Sequence, residues 1–305
     1  MIVCRLQGGL GNQMLQYACA RSLSLLTNQD LRLDLSFLND DTIPGITLRS
    51  YELACFRMEA RIAGQEDIRR IVPPYHHAGN SFWRRKERSF YRFWQRVSNK
   101  KIILEKSAYE YDENVFSELN KSGYFMLGYF FSYRYFERFR EEILADFQPR
   151  TLSQAAQEYL EEISERGKTC SLHVRRGDYV TNKAANSFHG LCSLDYYKKA
   201  VEEISRREPE TTFFCFSDDL EWCKLHLKEL NVSVVFVEQK EGMQNFEDLI
   251  LMSCCAHNII ANSTFSWWGG WLNQNPQKCV IAPRNLFADP ALSVADVYPK
   301  DWIIL

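Results

Sequence analysis

Two adjacent arginines close an apolar run near the middle of the chain, Cys170-Ser-Leu-His-Val-Arg-Arg-Gly-Asp-Tyr179. An apolar strand that ends in two guanidinium groups either turns into solvent at Gly177 or faces an anion. Two later stretches bear on that choice. Ser217-Asp218-Asp219 ends another apolar run, and Asn262-Ser263-Thr264 stands where a helix begins. Free N–H groups and hydroxyls at a helix start suit a phosphate. A guanidinium binds the same group through charge-assisted bonds worth roughly 1.5–3 kcal/mol each. Taken singly, Asn262 to Thr264 reads as an ordinary N-cap, and so does Asp218-Asp219. Taken together, three strand ends describe a pyrophosphate site. Asp218-Asp219 could also hold a cation, but no His-rich ligand set accompanies it. With arginines present, a diphosphate leaving group can be neutralised without metal.

A second candidate lies at the N-terminus. The apolar run Met1 to Leu6 leads into Gln7-Gly-Gly-Leu-Gly-Asn-Gln13, and a helical pattern follows from Met14 to about Leu26. Strand, glycine loop and helix form the opening of a Rossmann-like half. Gly9 and Gly11 let the backbone approach a ligand closely. The spacing is GGxGNQ and not GxGxxG, so the dinucleotide fingerprint is not met. Asn12 and Gln13 place two amides where a ligand would sit.

The elements that must hold these residues follow from periodicity. After Phe147 to Thr151 the pattern becomes a clean alternation of strands and helices, with strands at 169–174, 212–217, 232–237, 258–261 and 279–282. Such alternation argues for a parallel sheet, with ligands at the carboxyl ends of its strands. The expected domains are 1–149 and 150–305. Before the boundary, 40–80 reads as irregular, Tyr124 to Ser132 as an aromatic strand or turn, and Tyr133 to Phe147 as a helix. Trp267, Trp268 and Trp271 read as core packing or as a sugar platform. Phe82 to Lys101 carries eight Lys or Arg against Glu87 alone, with aromatics interleaved. That is a solvated helix with its aromatics toward the core, a peripheral surface for anionic lipid headgroups or a lipid-linked acceptor, or, last, a nucleic-acid contact.

Bulk properties narrow the classes. A chain of 305 residues that is 46% hydrophobic and 25% charged is an ordinary globular protein, and its net charge of −2 gives no basic field for nucleic acid. The ten cysteines form no CxxC pair and read as buried free thiols in a reducing compartment. No basic n-region precedes an apolar segment, and no apolar run reaches about 18 residues. The expectation is a cytoplasmic protein without a membrane span, peripheral to the inner membrane face if 82–101 meets lipid.

His173-Val-Arg-Arg-Gly-Asp-Tyr179 resembles the HxRRxD motif shared by alpha-1,2-, alpha-1,6- and protein O-fucosyltransferases. Gly8-Gly-Leu-Gly-Asn-Gln13 with Gln16-Tyr17-Ala18 is similar to the GGLGNQ(M/L)FQYA opening of the alpha-1,2-fucosyltransferases of glycosyltransferase family 11, with Leu15 where that family usually has Phe. Phe216 to Asp219 and Ala261 to Leu272 match two later motifs of the family. The resemblance implies an α/β, GT-B-like fold of two Rossmann-like domains facing across a cleft, acceptor in the first and GDP-sugar in the second. It implies inverting, metal-independent transfer of L-fucose from GDP-fucose to the 2-hydroxyl of a galactose-terminated glycan, in the service of cell-surface polysaccharide. By position, Arg175 would hold the pyrophosphate, with Arg176 a second phosphate contact or a structural group. His173 and Asp248 would lie near guanine. Ser217, Asn262, Ser263, Thr264, Phe265 and Ser266 would line the donor, and Gly9, Gly11, Asn12 and Gln13 the sugar or acceptor. Asp178 is the expected base. The resemblance also offers a second reading, in which this aspartate is structural and a carboxylate a few residues later acts instead. Here Asn182 to Gly190 holds no acid, which leaves His189 or no base. A non-catalytic GDP-sugar or carbohydrate-binding protein is the alternative reading.

Overall fold

The computed structural model describes residues 1–39, 49–72, 98–107, 109–177, 190–287 and 294–305. It falls into two units, Met1–Gln148 and Pro149–Leu305.

The first unit is built on five parallel strands: β1 (Ile2–Arg5), β2 (Leu31–Asp34), β3 (Arg61–Ile62), β4 (Lys100–Leu104) and β5 (Gly123–Leu127), in the order β3-β2-β1-β5-β4. Ile2 lies between Leu31 and Tyr124, so β1 is central and its apolar residues are wholly buried. Helix α1 (Leu10–Thr27) follows β1. It starts one turn earlier than the apolar pattern predicts. Gly9 is extended, and its carbonyl accepts the N–H groups of Asn12 and Gln13 at 3.0 Å each, which makes most of the glycine motif the first helical turn. Asn28, at φ 49°, ends the helix in the left-handed conformation that asparagine tolerates. The expected helix over 133–147 is two 3-10 turns, Tyr133–Tyr135 and Glu137–Phe139, and a short α3 (Arg140–Asp146), which comes after α2 (Gln65–Ile71) in the chain. Aromatic packing overrides helical propensity there: Tyr135 meets Tyr111, Phe116 and Phe130 at 4.9–5.9 Å between ring centroids.

The second unit alternates as expected: α4 (Gln154–Arg166), β6 (Thr169–Val174), α5 (Leu194–Arg207), β7 (Thr212–Ser217), α6 (Leu220–His226), β8 (Ser233–Phe236), α7 (Asn245–Cys254), β9 (His257–Ile259), α8 (Thr264–Leu272), β10 (Val280–Ala282) and β11 (Ile303–Ile304). All six strands are parallel, in the order β11-β10-β9-β6-β7-β8. Every residue of β6 is buried, as a central strand covered on both faces requires. Ser153, Ser193, Asp219 and Ser263 cap α4, α5, α6 and α8 with their side chains.

Two features make the centre of this sheet rigid. Asn258 donates to Ser171 Oγ (2.8 Å) and to the Met252 carbonyl (2.7 Å), while Asn273 donates to Asn258 Oδ1 (2.8 Å) and the Cys255 carbonyl (2.8 Å). This satisfied network ties β6, β9, α7 and the end of α8. Trp267, Trp268 and Trp271 are at most 1% exposed, and Trp267 Nε1 donates to the Val297 carbonyl at 3.0 Å. They are core, not a sugar platform. Gly270 lets α8 approach so closely that a Cβ there would stand 2.9 Å from Val280 Cγ1. All ten cysteines are free, and Cys254 differs from the expected burial in being exposed.

Candidate functional site

Strand order in the second sheet reverses between β6 and β9. From that pair the chain builds outward to β7 and β8 on one side and to β10 and β11 on the other. Open α/β sheets bind ligands at such a switch point, outside the carboxyl ends of the strands. Arg175 to Gly177 leave β6 there, Ser217 to Asp219 leave β7, and Asn262 to Ser266 lead from β9 into α8.

The arginines are latched by the aspartates of the neighbouring strand. Arg175 Nη1 lies 3.0 Å from Asp218 Oδ2, and Arg176 Nε lies 3.1 Å from Asp219 Oδ2. Asp218 Oδ1 also accepts the Arg176 backbone N–H at 2.8 Å. The Arg176 guanidinium lies 4.1 Å above the Trp222 ring, and Trp222 stacks on His226 at 4.3 Å. Asp218 is therefore not a helix cap; only Asp219 is, accepting the Trp222 N–H at 3.2 Å. The Asp219 N–H donates in turn to Ser217 Oγ at 3.0 Å, so Ser217 shapes this turn from within. Gly177 has a steric reason: a Cβ there would stand 2.6 Å from Asp218 Oδ2. The two guanidinium groups are thus oriented at the sheet's edge with 30% and 20% of their side chains exposed. Sequence spacing does not reveal Trp222, because its role lies in a stacking contact three residues beyond Asp219.

The 262–266 stretch divides. Asn262 is buried and donates to the Gly190 carbonyl at 3.2 Å, pinning the far end of the segment that leaves Gly177. Ser263 Oγ accepts the Phe265 N–H at 3.2 Å as a cap. Ser266 was expected to line the donor, but it is fully buried, with Oγ accepting the Ala261 N–H. That leaves the half-buried Ser263, Thr264 and Phe265 as the outward-lying members, Ser263 with its hydroxyl engaged as the cap.

His173 and Asp248 carry unusual chemistry. His173 is buried, its ring 5.9 Å from Phe265, and its Nδ1 has no partner among the described residues. Burial and then the nearby Arg175 push its pKa down to about 3, which keeps the imidazole neutral. Asp248 accepts from Gln239 Nε2 at 2.7 Å through one oxygen, while its Oδ1 is buried without a partner among the described residues. Burial, and more weakly Glu247, push this carboxyl up to about 7.

In the first unit the glycine loop is held from inside. Gln13 was expected beside the sugar or acceptor. It is instead fully buried, donating to the carbonyls of Gly8 and Ser50 at 2.9 Å each and accepting the Glu52 N–H at 3.0 Å. Its amide staples the loop to 50–52, with both N–H donors spent on backbone carbonyls. Asn12 is half-buried and lies beside Gly8, which adopts φ 78°. Glu52 receives the Leu10 N–H, so the first amide of α1 is engaged by a carboxylate. Asp178 and His189, the candidate bases, and 82–97 of the basic aromatic stretch lie outside the described residues.

Two parallel sheets with helices, each with a glycine- or arginine-bearing loop at its carboxyl edge, define an α/β fold of the GT-B kind. A solved structure of an Arabidopsis thaliana FUT1 variant in complex with GDP has this fold, with a TM-score of 0.54 at 10% identity over 92% of this chain and 70% of that one. The profile of glycosyl transferase family 11 matches residues 1–305, and the chain belongs to that family. Among its relatives, the O-antigen biosynthesis glycosyltransferase WbnK of Escherichia coli is 36% identical over 93% of this chain and 94% of its own length. An alpha-1,2-colitosyltransferase of Escherichia coli is 33% identical over 99% and 98%. The bovine galactoside 2-alpha-L-fucosyltransferase SEC1 is 28% identical over 48% of this chain and 41% of its own.

Proposed function

We propose that the protein transfers L-fucose from GDP-fucose to the 2-hydroxyl of a terminal galactose in an oligosaccharide, with inversion and without metal. The observation that carries this reading is the pair of aspartate-oriented guanidinium groups at the switch point of the second sheet. The acceptor oxygen attacks the anomeric carbon as the bond from that carbon to the β-phosphate oxygen breaks. Arg175 binds the diphosphate and takes up the charge that develops on departing GDP, with Thr264 and Phe265 beside it. Arg176, spent on Asp219 and Trp222, is a pillar of the site and a secondary phosphate contact. His173 and Asp248, whose buried polar atoms have no partner among the described residues, face the nucleoside. Asn12 stands near the sugar. The proton of the acceptor hydroxyl passes to Asp178, to His189 or to solvent.

Incubation with GDP-fucose and lactose or N-acetyllactosamine tests the reading. The expected result is a product whose NMR spectrum shows an alpha-1,2 linkage. No product on any galactoside, together with no GDP binding by calorimetry, would sink it; binding without turnover favours a non-catalytic nucleotide-sugar binder. The likeness to a colitosyltransferase favours one variant, with the 3-deoxy counterpart of fucose as donor. Competition between the two GDP-sugars decides that. No helix among the described residues is long and apolar enough to cross a membrane. A cytoplasmic site of action, with 82–101 touching anionic lipid, is tested by co-sedimentation with phosphatidylglycerol vesicles.

A further inference from the structure

The loop that leaves β5 is held from outside by one carboxylate. Glu105, the residue after β4, accepts the backbone N–H of Tyr129 at 2.6 Å on one oxygen and that of Phe130 at 2.5 Å on the other, and the Phe131 N–H as well. Its own N–H donates to the Leu127 carbonyl at 2.9 Å, so the clamp begins where the β4–β5 ladder ends. The conformation it holds is one that the loop's residues do not favour. Phe130, fully buried, sits at φ 53°, and Gly128 before it at φ 155°. A bulky residue stays in the left-handed region only where its surroundings impose it. A Cβ at position 128 would collide with the Glu105 side chain, so the clamp also requires the glycine. Phe130 and Phe131 are drawn into the core, and Tyr129 is left 37% exposed. The strained turn and its anchor are therefore one unit.

Three N–H groups aimed at one point make a concavity for an anion. The occupant here carries its charge in a poor place. Around it stand Cys19 of α1 and the phenols of Tyr109, Tyr129 and Tyr135, each pushed up by burial and so uncharged through the neutral range. Against burial the Glu105 carboxyl has the three amides, which are dipoles and not counter-charges. Burial outweighs them and raises the carboxyl from its ordinary 4.5 to about 7. Letting go of the loop returns the carboxyl to water and to its ordinary acidity. The held loop therefore binds a proton that the released loop gives up. The advantage of the held loop is complete below pH 4.5 and is lost as pH rises through about 7.

We infer that Glu105 and the 128–131 turn form a proton-operated latch at the carboxyl edge of the first sheet, shut while Glu105 is protonated and released as it ionises. Hydrogen–deuterium exchange of the Tyr129, Phe130 and Phe131 amides tests it, with rates corrected for the intrinsic effect of pH. In the wild type the opening constant is expected to rise roughly tenfold per pH unit from about pH 5 to about 7, and then to level off. At neutral pH these amides are expected to exchange roughly tenfold or more faster than those of β1, because the turn opens without the sheet. Glu105→Gln keeps the size of the side chain and cannot ionise, so its opening constant is expected to stay flat. A carbon-13 titration of the Glu105 carboxyl in the wild type needs no variant and is expected to give the pH at which the exchange levels off. A midpoint back at 4.5 overturns the latch. So does an opening constant that is flat or falls as pH rises in the wild type, or a pH dependence that survives in Glu105→Gln. Exchange no faster than that of β1 overturns it as well, since the turn then opens only with the whole unit.

Discussion

The two sheets share a topology and differ in what they place at the carboxyl edge. In the second, β6 ends in guanidinium groups held by Asp218 and Asp219 from β7. In the first, β1 ends in glycines and amides, and β4 ends in a buried carboxylate that clamps the loop after β5. One edge carries guanidinium groups pre-oriented by carboxylates; the other is neutral to acidic and aromatic. A parallel sheet fixes where a ligand goes, and the strand-end residues fix what it is. The contrast fits the reaction proposed above, which takes a nucleoside-diphosphate sugar and an uncharged sugar.

The contrast can be broken in several places. The largest effect is expected from Arg175→Ala, which should lower kcat/KM for GDP-fucose by about 10²–10³, the usual loss when a donor to a developing oxyanion is removed. Arg175→Lys should recover only part of it, because a point charge replaces a fork. Trp268→Ala should lower the stability of the second unit by about 3–5 kcal/mol in chemical denaturation, as for other buried large-to-small changes. Asp218→Asn should weaken GDP binding about tenfold, in line with one charge-assisted bond of about 1.5 kcal/mol, with little change in melting temperature. Tighter GDP binding in that variant would instead show that Asp218 competes with phosphate.

Smaller effects should appear in the pH dependence of stability. Burial raises Glu105 from its ordinary 4.5 to about 7, so the folded state binds the extra proton and stability falls as pH rises across that window. Glu105→Gln should flatten this limb. His173 has the opposite sign: lowered from 6.5 to about 3, it costs stability as pH falls below 6.5. Denaturation midpoints from pH 4 to 8 for Glu105→Gln and His173→Gln separate the two limbs, one in each sheet. The smallest effect is expected from EDTA, which should leave turnover unchanged.

The second unit was almost fully legible in the sequence, because strands buried on both faces read as continuous apolar runs and their ends are marked by charged residues. Arg175, Asp218 and the capping role of Ser263 all stand at such ends. Three-dimensional partners were not legible. Gln13 and Ser266 look like ligand contacts in a motif, yet each is turned inward, since nothing in a local pattern says which way an amide or hydroxyl faces. Trp222 carries no spacing signal at all. The first unit was harder to read. Its helix over 133–147 dissolves into turns because Tyr135 and its neighbours pack by shape, and Glu105 is separated from the N–H groups it holds by more than twenty residues of chain. Phe130 in a left-handed conformation follows from that distant carboxylate and from nothing in its own neighbourhood.

The stacking of Arg176 on Trp222 would make the proposed nucleotide site optically readable. Trp267, Trp268, Trp271 and Trp302 are buried in the core, where their emission is constant for as long as the fold is intact. Trp222, with a cation 4.1 Å from its ring and the His226 imidazole stacked against it, sits in a local field set by the Arg176–Asp219 pair. Any nucleotide that draws Arg176 away from Asp219 must change that field, and so the intensity and wavelength of indole fluorescence. In a variant with Trp83 and Trp94 replaced by Phe, a titration followed by this signal reports nucleotide binding without a label, a coupled enzyme or a sugar acceptor.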